Sequence, residues 1–277
     1  MPSALHILAG ILLPERGGSK NADDIAELYA LIVVMAMIVF LGVEGSLIWF
    51  LLRFKARRGR VAAQIHGNTR LEIGWTVGAA VILVFITVVT FIKLPGIKNP
   101  PASTIDASGN KVASTTLFAS TDQPSPPKGA KLTLVVDGQQ YVWRYQYPRQ
   151  AGKEVFSYEE MVVPVGMTVI LDITADDVAH SWWIPKLGGK MDAVPGYTNR
   201  TWFRADKPGV FEGQCAELCG RNHANMVARV RAVPFDQYQA WYDRQAADIK
   251  AAREAGAKQR AGILKQQQEA AQRSESQ

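Results

Sequence analysis

Cysteine and histidine are scarce in this sequence, and charge is nearly missing from two long stretches. Two cysteines in 277 residues exclude a disulfide-rich scaffold, and no Cys-x-x-Cys-His occurs that would attach a c-type haem. The 48% hydrophobic and 20% charged composition excludes a disordered chain. Residues 28–52 contain one charged residue, Glu44, and residues 75–92 contain none.

These two stretches of very low charge predict a transmembrane helical hairpin over residues 25–95, with spans at about 28–52 and 75–94. A helix of about 20 apolar residues crosses a bilayer core. A pair of buried core helices is the alternative, but the basic segment between the stretches argues against it. Its six cations account for most of the net charge of +6: Arg53, Lys55, Arg57, Arg58, Arg60 and Arg70.

By the positive-inside rule this basic loop is cytoplasmic and both termini lie on the opposite side of the membrane. The positive charge is therefore a topology signal, and no nucleic-acid partner is expected. We interpret residues 1–24 as a peripheral N-terminal segment, with a cleaved signal peptide as the alternative. Residues 96–130, rich in Pro, Ser, Thr and Gly, are expected to be connector and loops.

Residues 131–235 predict an all-β domain, because short runs of β-forming residues alternate with Gly and Pro. Periodicity does not distinguish a sandwich from a barrel. After Pro234 the composition predicts a polar helix over residues 236–265 and a disordered end within the 236–277 tail. The predicted strands are Gln139–Tyr147, Val155–Val163, Met167–Thr174, Ala179–Ile184, Thr198–Ala205, Val210–Gln214 and Met226–Val233.

Candidate metal ligands are concentrated in the run Gly213-Gln-Cys-Ala-Glu-Leu-Cys-Gly-Arg-Asn-His-Ala-Asn-Met226. Cys215, Cys219, His223 and Met226 offer soft or borderline donors, which favour copper over magnesium or calcium. Structural zinc rarely uses methionine. A mononuclear blue-copper site needs one cysteine, so the second cysteine indicates two metals that share bridging thiolates.

A disulfide between Cys215 and Cys219 is the alternative, but it explains neither His223 nor Met226. A copper site of this type needs a second imidazole. The sequence has four histidines, and two of them, His6 and His66, lie outside the β domain. Elimination therefore nominates His180 as the second imidazole ligand.

Together, the metal run and the upstream Asp176-Asp-Val-Ala-His-Ser-Trp182 resemble subunit II of haem–copper cytochrome c oxidases. Three further segments support the resemblance, which covers roughly residues 25–235: His66–Thr76, Gln140–Pro148 and Leu187–Gly196.

The resemblance implies a fold and a cofactor. The fold would be an α+β membrane protein: the two-helix hairpin, then a cupredoxin-like β-barrel or sandwich, then the polar C-terminal helix. The cofactor would be a dinuclear copper A centre with two copper ions. Cys215 and Cys219 would bridge both ions, His180 and His223 would each bind one, and Met226 sulfur and the Glu217 carbonyl would complete the ligand set.

Two carboxylates gain expected roles from the resemblance. The Glu217 side chain would help to bind magnesium at the junction with subunit I, with an ordinary loop carboxylate as the alternative. Glu72 would lie at the entrance of a proton path, although an acid at a helix N-terminus is also favoured by the helix dipole. We assign Glu44 no catalytic role.

The chain departs from the family where electrons are expected to arrive. Many members have Gly-His-Gln-Trp-Tyr-Trp where this chain has Gly138-Gln-Gln-Tyr-Val-Trp143, so Tyr141 occupies the first tryptophan position. Tyr141 and Trp143 are the candidate residues for electron input, and core packing is the alternative for Trp143. Asp176 and Asp177 match acidic positions that dock a basic cytochrome c.

These expectations describe an oxidase subunit in a bacterial inner membrane, with its C-terminal domain on the periplasmic side. Its expected partners are subunit I, which carries haem and copper B, subunit III, and a c-type cytochrome donor; haem would reside only in the partner subunit. The alternatives are a membrane-anchored copper-delivery protein and an oxidase with another donor. The related quinol oxidase subunit lacks copper ligands, so the donors present here exclude it.

Overall fold

Two long antiparallel helices precede the β domain in the computed structural model, which describes residues 13–55, 59, 61, 64–111 and 130–275. Helix α1 spans Lys20–Arg53 and helix α2 spans Thr69–Lys98. Both are long and apolar enough to cross a membrane, and the predicted spans lie inside them. Their apolar side chains remain exposed, as lipid-facing or partner-facing surfaces require.

The observed helices extend beyond the predicted spans because polar residues cap and pair their ends. Asn68 precedes α2 and its side chain accepts a hydrogen bond from the Leu71 amide, which satisfies one free donor of the first turn. Near the other end of α2, Lys93 forms an ion pair with Glu27 of α1 at 2.6 Å. The hairpin is therefore held by charge at one end and by apolar packing along its length.

Two five-stranded sheets pack face to face in the C-terminal domain, so the domain is a sandwich. The first sheet has the order β3-β2-β1-β5-β8, and the second has the order β4-β10-β9-β6-β7. The strands are β1 Leu132–Gln139, β2 Val142–Gln146, β3 Phe156–Tyr158, β4 Glu160–Pro164, β5 Val169–Ala175, β6 His180–Trp183, β7 Met191–Ala193, β8 Asn199–Phe203, β9 Gly209–Cys215 and β10 Val227–Val233.

The prediction of one strand over Gln139–Tyr147 is wrong at its start. The chain turns at residues 140–141, between β1 and β2, and the two strands pair antiparallel with Gly138 opposite Trp143. Strand β1 was not predicted. Period two over this segment predicts that Tyr141, Trp143, Tyr145 and Tyr147 share one face. The last three are buried in the core, whereas Tyr141 lies in the turn.

The predicted strand Val155–Val163 is divided in the structure at Glu159, whose φ of 61° ends strand β3. Strand β3 pairs with β2 in the first sheet, and β4 pairs with β10 in the second. The chain therefore crosses from one sheet to the other at this residue. A left-handed conformation at a glutamate is uncommon, so no sequence pattern signals the break.

Helix α3, Phe235–Glu275, follows the last strand and is longer than the predicted helix. Tyr238 and Tyr242 of its first turns are buried against the sandwich, whereas Ile263 and Leu264 are exposed. The second half is therefore a helix without tertiary packing in the part of the chain that the structure describes. Its Ala, Gln, Lys and Glu content explains why it stays helical instead of ending near residue 265.

The hairpin and the sandwich are joined by specific hydrogen bonds. The Asn21 side chain donates to the Trp202 carbonyl at 3.0 Å, and the Trp202 indole donates to the carbonyls of Ile97 and Lys98 at 3.1 and 3.0 Å. The Arg204 amide donates to the Ser19 hydroxyl. Both helix ends next to the sandwich are thus tied to strand β8 and the residue that follows it.

Several predictions fall on residues that are not described. They concern residues 1–12 of the N-terminal segment, residues 56–58, 60, 62 and 63 of the basic loop, residues 112–129 of the connector, and residues 276–277.

Candidate metal centre

The predicted ligands come together at one end of the sandwich, where three strands of the second sheet begin or end. His180 is the first residue of β6, Cys215 is the last of β9, and Met226 directly precedes β10. Cys219 and His223 lie on the loop between β9 and β10. Ligands on loops held by a rigid sheet are a common arrangement for functional sites.

Hydrogen bonds between backbone groups keep the ligand loop in place. The Cys215 amide donates to the Met226 carbonyl at 2.9 Å, so the two ends of the loop are joined. The Ala216 amide donates to the Ser181 carbonyl at 2.8 Å, which ties the loop to the histidine strand. The sheet therefore holds the metal-ligand loop in place.

The donor atoms form one compact cluster. The Cys215 and Cys219 sulfurs lie 3.9 Å apart. Nδ1 of His180 is 3.9 Å from the Cys215 sulfur, and Nδ1 of His223 is 3.6 Å from the Cys219 sulfur. The Met226 sulfur lies 3.9 Å from Cys219, and the Glu217 carbonyl oxygen lies 3.2 Å from the Cys215 sulfur.

This cluster fits a metal shared between two thiolates. Metal–thiolate bonds are about 2.3 Å long, and 3.9 Å between the sulfurs is shorter than two such bonds. One ion can therefore contact both sulfurs, and each sulfur has its own imidazole beside it. The sulfur-rich donor set suits copper. A disulfide is not formed, since both cysteines are free.

The pKa of the Cys219 thiol also reflects this environment. Burial and the neighbouring Cys215 raise the pKa of Cys219 to about 11. The Cys219 thiol is therefore protonated at neutral pH when no metal is bound, and metal binding would release its proton.

Asp177 determines which nitrogen of His180 faces the cysteines. His180 is fully buried, and its Nε2 lies 2.9 Å from the Asp177 carboxylate. An ionised carboxylate only accepts hydrogen bonds, so Nε2 carries the proton and Nδ1 is free for a metal. Burial raises the pKa of Asp177, but hydrogen bonds from His180 and from the amides of Gln140 and Val178 outweigh it, and the pKa is lowered overall.

Sequence reasoning missed two residues that shape the site. A side chain at Gly138 would place a Cβ 3.0 Å from the His180 ring and 3.1 Å from the Trp143 ring, so glycine allows both rings to approach β1. The Gln140 side-chain amide donates to the Cys219 carbonyl at 2.6 Å. A glycine inside a strand beside candidate ligands is the signal that points to Gly138.

The two aromatic candidates for electron input occupy different environments. Trp143 is fully buried, with its ring centroid 5.8 Å from that of His180. Tyr141 is partly buried in the turn between β1 and β2, and its hydroxyl lies beside Gly220 of the ligand loop. Trp143 therefore contacts the cluster from the core, and Tyr141 lies between the cluster and the surface.

The remaining predicted residues lie at the rim or far from the cluster. The side chains of Asp176 and Glu217 are exposed, and Asp176 accepts a hydrogen bond from Gln139 at 2.7 Å. Glu72 lies in the first turn of α2, in the hairpin, where its carboxylate accepts a hydrogen bond from the Asn68 amide at 3.2 Å. The structure thus gives Glu72 a role in helix capping.

Fold and site together define a membrane-anchored metal-binding β-sandwich protein. A family described as the transmembrane domain of cytochrome c oxidase subunit II matches residues 9–92, and one described as its periplasmic domain matches residues 156–233. The chain belongs to the cytochrome c oxidase subunit II family. The predicted family and fold class are both confirmed.

Two individual relatives are named cytochrome c oxidase subunit 2. The chain is 37% identical over 227 residues to cytochrome c oxidase subunit 2 of Alkalihalophilus pseudofirmus, covering 79% of this chain and 57% of that protein. It is 32% identical over 251 residues to cytochrome c oxidase subunit 2 of Cereibacter sphaeroides, covering 78% and 73%. It thus spans little more than half of the first relative.

A solved structure is also similar. The periplasmic domain of subunit II of cytochrome oxidase from Bradyrhizobium japonicum is 36% identical and covers 44% of this chain and 97% of that one, with a TM-score of 0.41.

Proposed function

We propose that this chain is the electron-accepting subunit of a haem–copper terminal oxidase. It would take electrons from a c-type cytochrome at a dinuclear copper A centre and pass them to the haem of subunit I, where dioxygen is reduced to water and protons are pumped. The observation that carries this proposal is the pair of buried thiols 3.9 Å apart, each with an imidazole nitrogen beside it.

The residues would hold two copper ions without leaving a substrate position. Cys215 and Cys219 would bridge both ions, and His180 and His223 would each bind one. The Met226 sulfur and the Glu217 carbonyl would complete the set. When bound, the copper pair supplies one-electron redox chemistry. A buried, sheet-supported ligand set keeps its geometry when the charge changes, which favours rapid electron transfer.

Burial argues against the alternative of a copper-delivery protein. Cys215 is 2% exposed, Cys219 is 4% exposed, and Met226 and His180 are fully buried. A delivery site must exchange its metal with a partner, and ligands enclosed by a β-sandwich exchange slowly. Among the five residues that would bind through their side chains, only His223 is partly exposed. The enclosed geometry favours a resident cofactor.

Electron input is proposed at Tyr141. Its position between the cluster and the surface supports this role, and the bond from Gln140 to the Cys219 carbonyl connects the same turn to the ligand loop. The complete burial of Trp143 supports the packing role, and its ring contact with His180 links it to the metal site. The exposed Asp176 and the partly exposed Asp177 would dock the donor.

The acidic residues Glu217 and Glu72 would serve the assembled oxidase. The exposed Glu217 side chain is free to bind magnesium together with groups of subunit I. Glu72 would act at a proton-path entrance, although its bond to the Asn68 amide equally supports a structural role. Subunit III would be a further partner. The proposed location is a bacterial inner membrane with the sandwich in the periplasm.

Copper content and spectroscopy test the proposal on the full chain in detergent. We expect two copper ions per chain, a purple chromophore and a mixed-valence paramagnetic signal from two equivalent ions. Cys215→Ser and Cys219→Ser should each abolish this signal, whereas Tyr158→Phe, an exposed change in the same domain, should retain it. One copper ion per chain, or none in a well-loaded sample, would refute the assignment.

A further inference from the structure

A groove of about 220 Å³ lies where the hairpin meets the sandwich. Ile25 of α1 and Ile97 of α2 contribute apolar walls, and Lys98, Lys190 and Arg200 contribute three cations. No carboxylate lines it among the described residues.

The three cations are not equally neutralised. Arg200 is held by Asp172 at 2.6 Å and Lys190 lies 3.2 Å from Asp192. Lys98 is exposed and makes no ion pair within the described ranges. The groove therefore has an excess of positive charge.

The groove lies at the depth of lipid headgroups. Ile25 precedes the predicted first span by three residues, and Lys98 follows the second by four. At 1.5 Å per helical residue these positions lie about 5–6 Å beyond the hydrocarbon core. The polar headgroup layer of each leaflet is about 5–8 Å thick.

An apolar groove continues toward the membrane interior. This second groove, of about 490 Å³, lies between the two helices, and apolar residues such as Ile32, Val39 and Ile86 line it. Its one charged lining residue among those described is Glu44, which is the lining residue farthest along α1 from Ile25. Ile25, Ile32 and Val39 are seven residues apart, so they lie on nearly the same face of α1. A cationic groove at headgroup depth is thus aligned with an apolar groove at acyl-chain depth.

We propose that these two grooves bind one anionic phospholipid, with its phosphate against Lys98 and Lys190 and its acyl chains between α1 and α2. Charge complementarity selects the headgroup, and the apolar groove selects a lipid over a soluble phosphate. The lipid would fill the junction at which Trp202 and Asn21 tie the sandwich to the hairpin.

Native mass spectrometry of the full chain in detergent tests this proposal with three probes. They are phosphatidylglycerol, phosphatidylcholine with the same acyl chains, and glycerol phosphate. We expect selective retention of phosphatidylglycerol. Lys98→Gln and Lys190→Gln should each lower that retention about fivefold. Lys258→Gln, an exposed change on α3, should leave it unchanged.

Equal retention of the two lipids, or variants that match the wild type, would overturn the proposal, as would equal binding of glycerol phosphate. A photo-reactive benzophenone residue at Met191, which lines the groove, extends the test to intact membranes. Cross-links to phospholipid support the proposal. Cross-links to a polypeptide alone would show that another protein covers the groove.

Discussion

Asp176 and Asp177 are adjacent in sequence, but their carboxylates have different partners. Asp177 accepts a hydrogen bond from His180 at 2.9 Å, whereas Asp176 contacts Gln139. Loss of a carboxylate that orients a metal-binding histidine commonly lowers metal affinity about 10–100-fold. We therefore expect Asp177→Asn to weaken copper binding by this factor in competition with a chelator, because an amide no longer selects the Nε2–H form of His180.

Asp176→Asn is the matched control, because it removes the same charge from the neighbouring position. It should leave copper affinity unchanged and reduce the salt dependence of donor binding. Equal copper affinity in the two variants would contradict the orienting role of Asp177. The sequence alone presents both residues as docking candidates, because only the fold shows which carboxylate faces the imidazole.

Gly138 is the second residue at which a single substitution is expected to disturb the metal site. A methyl group there would lie 3.0 Å from the His180 ring and 3.1 Å from the Trp143 ring. Gly138→Ala should destabilise the domain by about 1–3 kcal/mol, as overpacking does, and should shift the copper absorption by displacing His180. Thermal unfolding and absorption spectra of the full chain measure both effects.

Gly209→Ala provides the comparison for Gly138. Gly209 begins strand β9, and its added methyl group would meet only Phe211, at 3.8 Å, which is an ordinary contact. This variant should keep the wild-type absorption. If Gly138→Ala also keeps the wild-type absorption, the His180 ring tolerates the added methyl group, and glycine at position 138 is not required for the copper site.

At the scale of elements, α3 is attached to the sandwich through tyrosines with opposite hydrogen-bonding states. The Tyr242 hydroxyl donates to the Pro148 carbonyl at 2.9 Å and accepts from the Gln150 amide at 3.2 Å. Tyr242→Phe removes both of these partly buried hydrogen bonds and should lower the free energy of unfolding by about 1–2 kcal/mol. Chemical denaturation of the full chain gives this value.

Tyr238→Phe is the paired variant for this measurement. The Tyr238 hydroxyl is buried without a hydrogen-bond partner among the described residues, and the Gln150 side chain affects its pKa without reaching bonding geometry. Removing an unpaired hydroxyl should be neutral or stabilising. A loss of stability equal to that of Tyr242→Phe would show that the two hydroxyls have similar surroundings.

The strand boundaries show which features of the elements can be predicted from the local sequence pattern. Alternation predicts that Tyr141, Trp143, Tyr145 and Tyr147 share one strand face, and this is correct for the last three, since period two is a property of any strand. It does not detect the turn at residues 140–141 or the change of sheet at Glu159. Both depend on which strand pairs with which, and pairing is decided by contacts distant in sequence.

For the whole molecule, the free energy of unfolding should depend on the protonation of Asp137. Burial, with Asp176 nearby, raises the pKa of Asp137 to about 6, and Arg144 opposes the shift. A carboxyl with a raised pKa binds more protons when folded, so stability falls as pH rises from about 4 to 6. Asp137→Asn should remove this decline and stabilise the chain at pH 7 by about 2 kcal/mol.

Asp106→Asn has the opposite expected sign and serves as the control. Amide donors of Asn110 and Ser108 lower the pKa of the partly exposed Asp106, so neutralising it should reduce stability at pH 7. Melting temperatures of the three proteins between pH 4 and pH 8 separate these cases. Identical pH profiles for wild type and Asp137→Asn would contradict the assignment to Asp137.

The sequence by itself determined the membrane hairpin, the β class of the following domain and the set of candidate metal donors. These features are local: an apolar stretch long enough to span a bilayer remains so in any tertiary setting, and four of the soft donors lie within residues 215–226. Tertiary structure alone decided that the sandwich has two five-stranded sheets and that His180 reaches Cys215, 35 residues away. It also distinguished Asp177 from Asp176 and placed Trp143 in the core. The physical reason is that burial, hydrogen-bond partners and ligand geometry arise from residues far apart in the chain, and periodicity carries no record of those contacts.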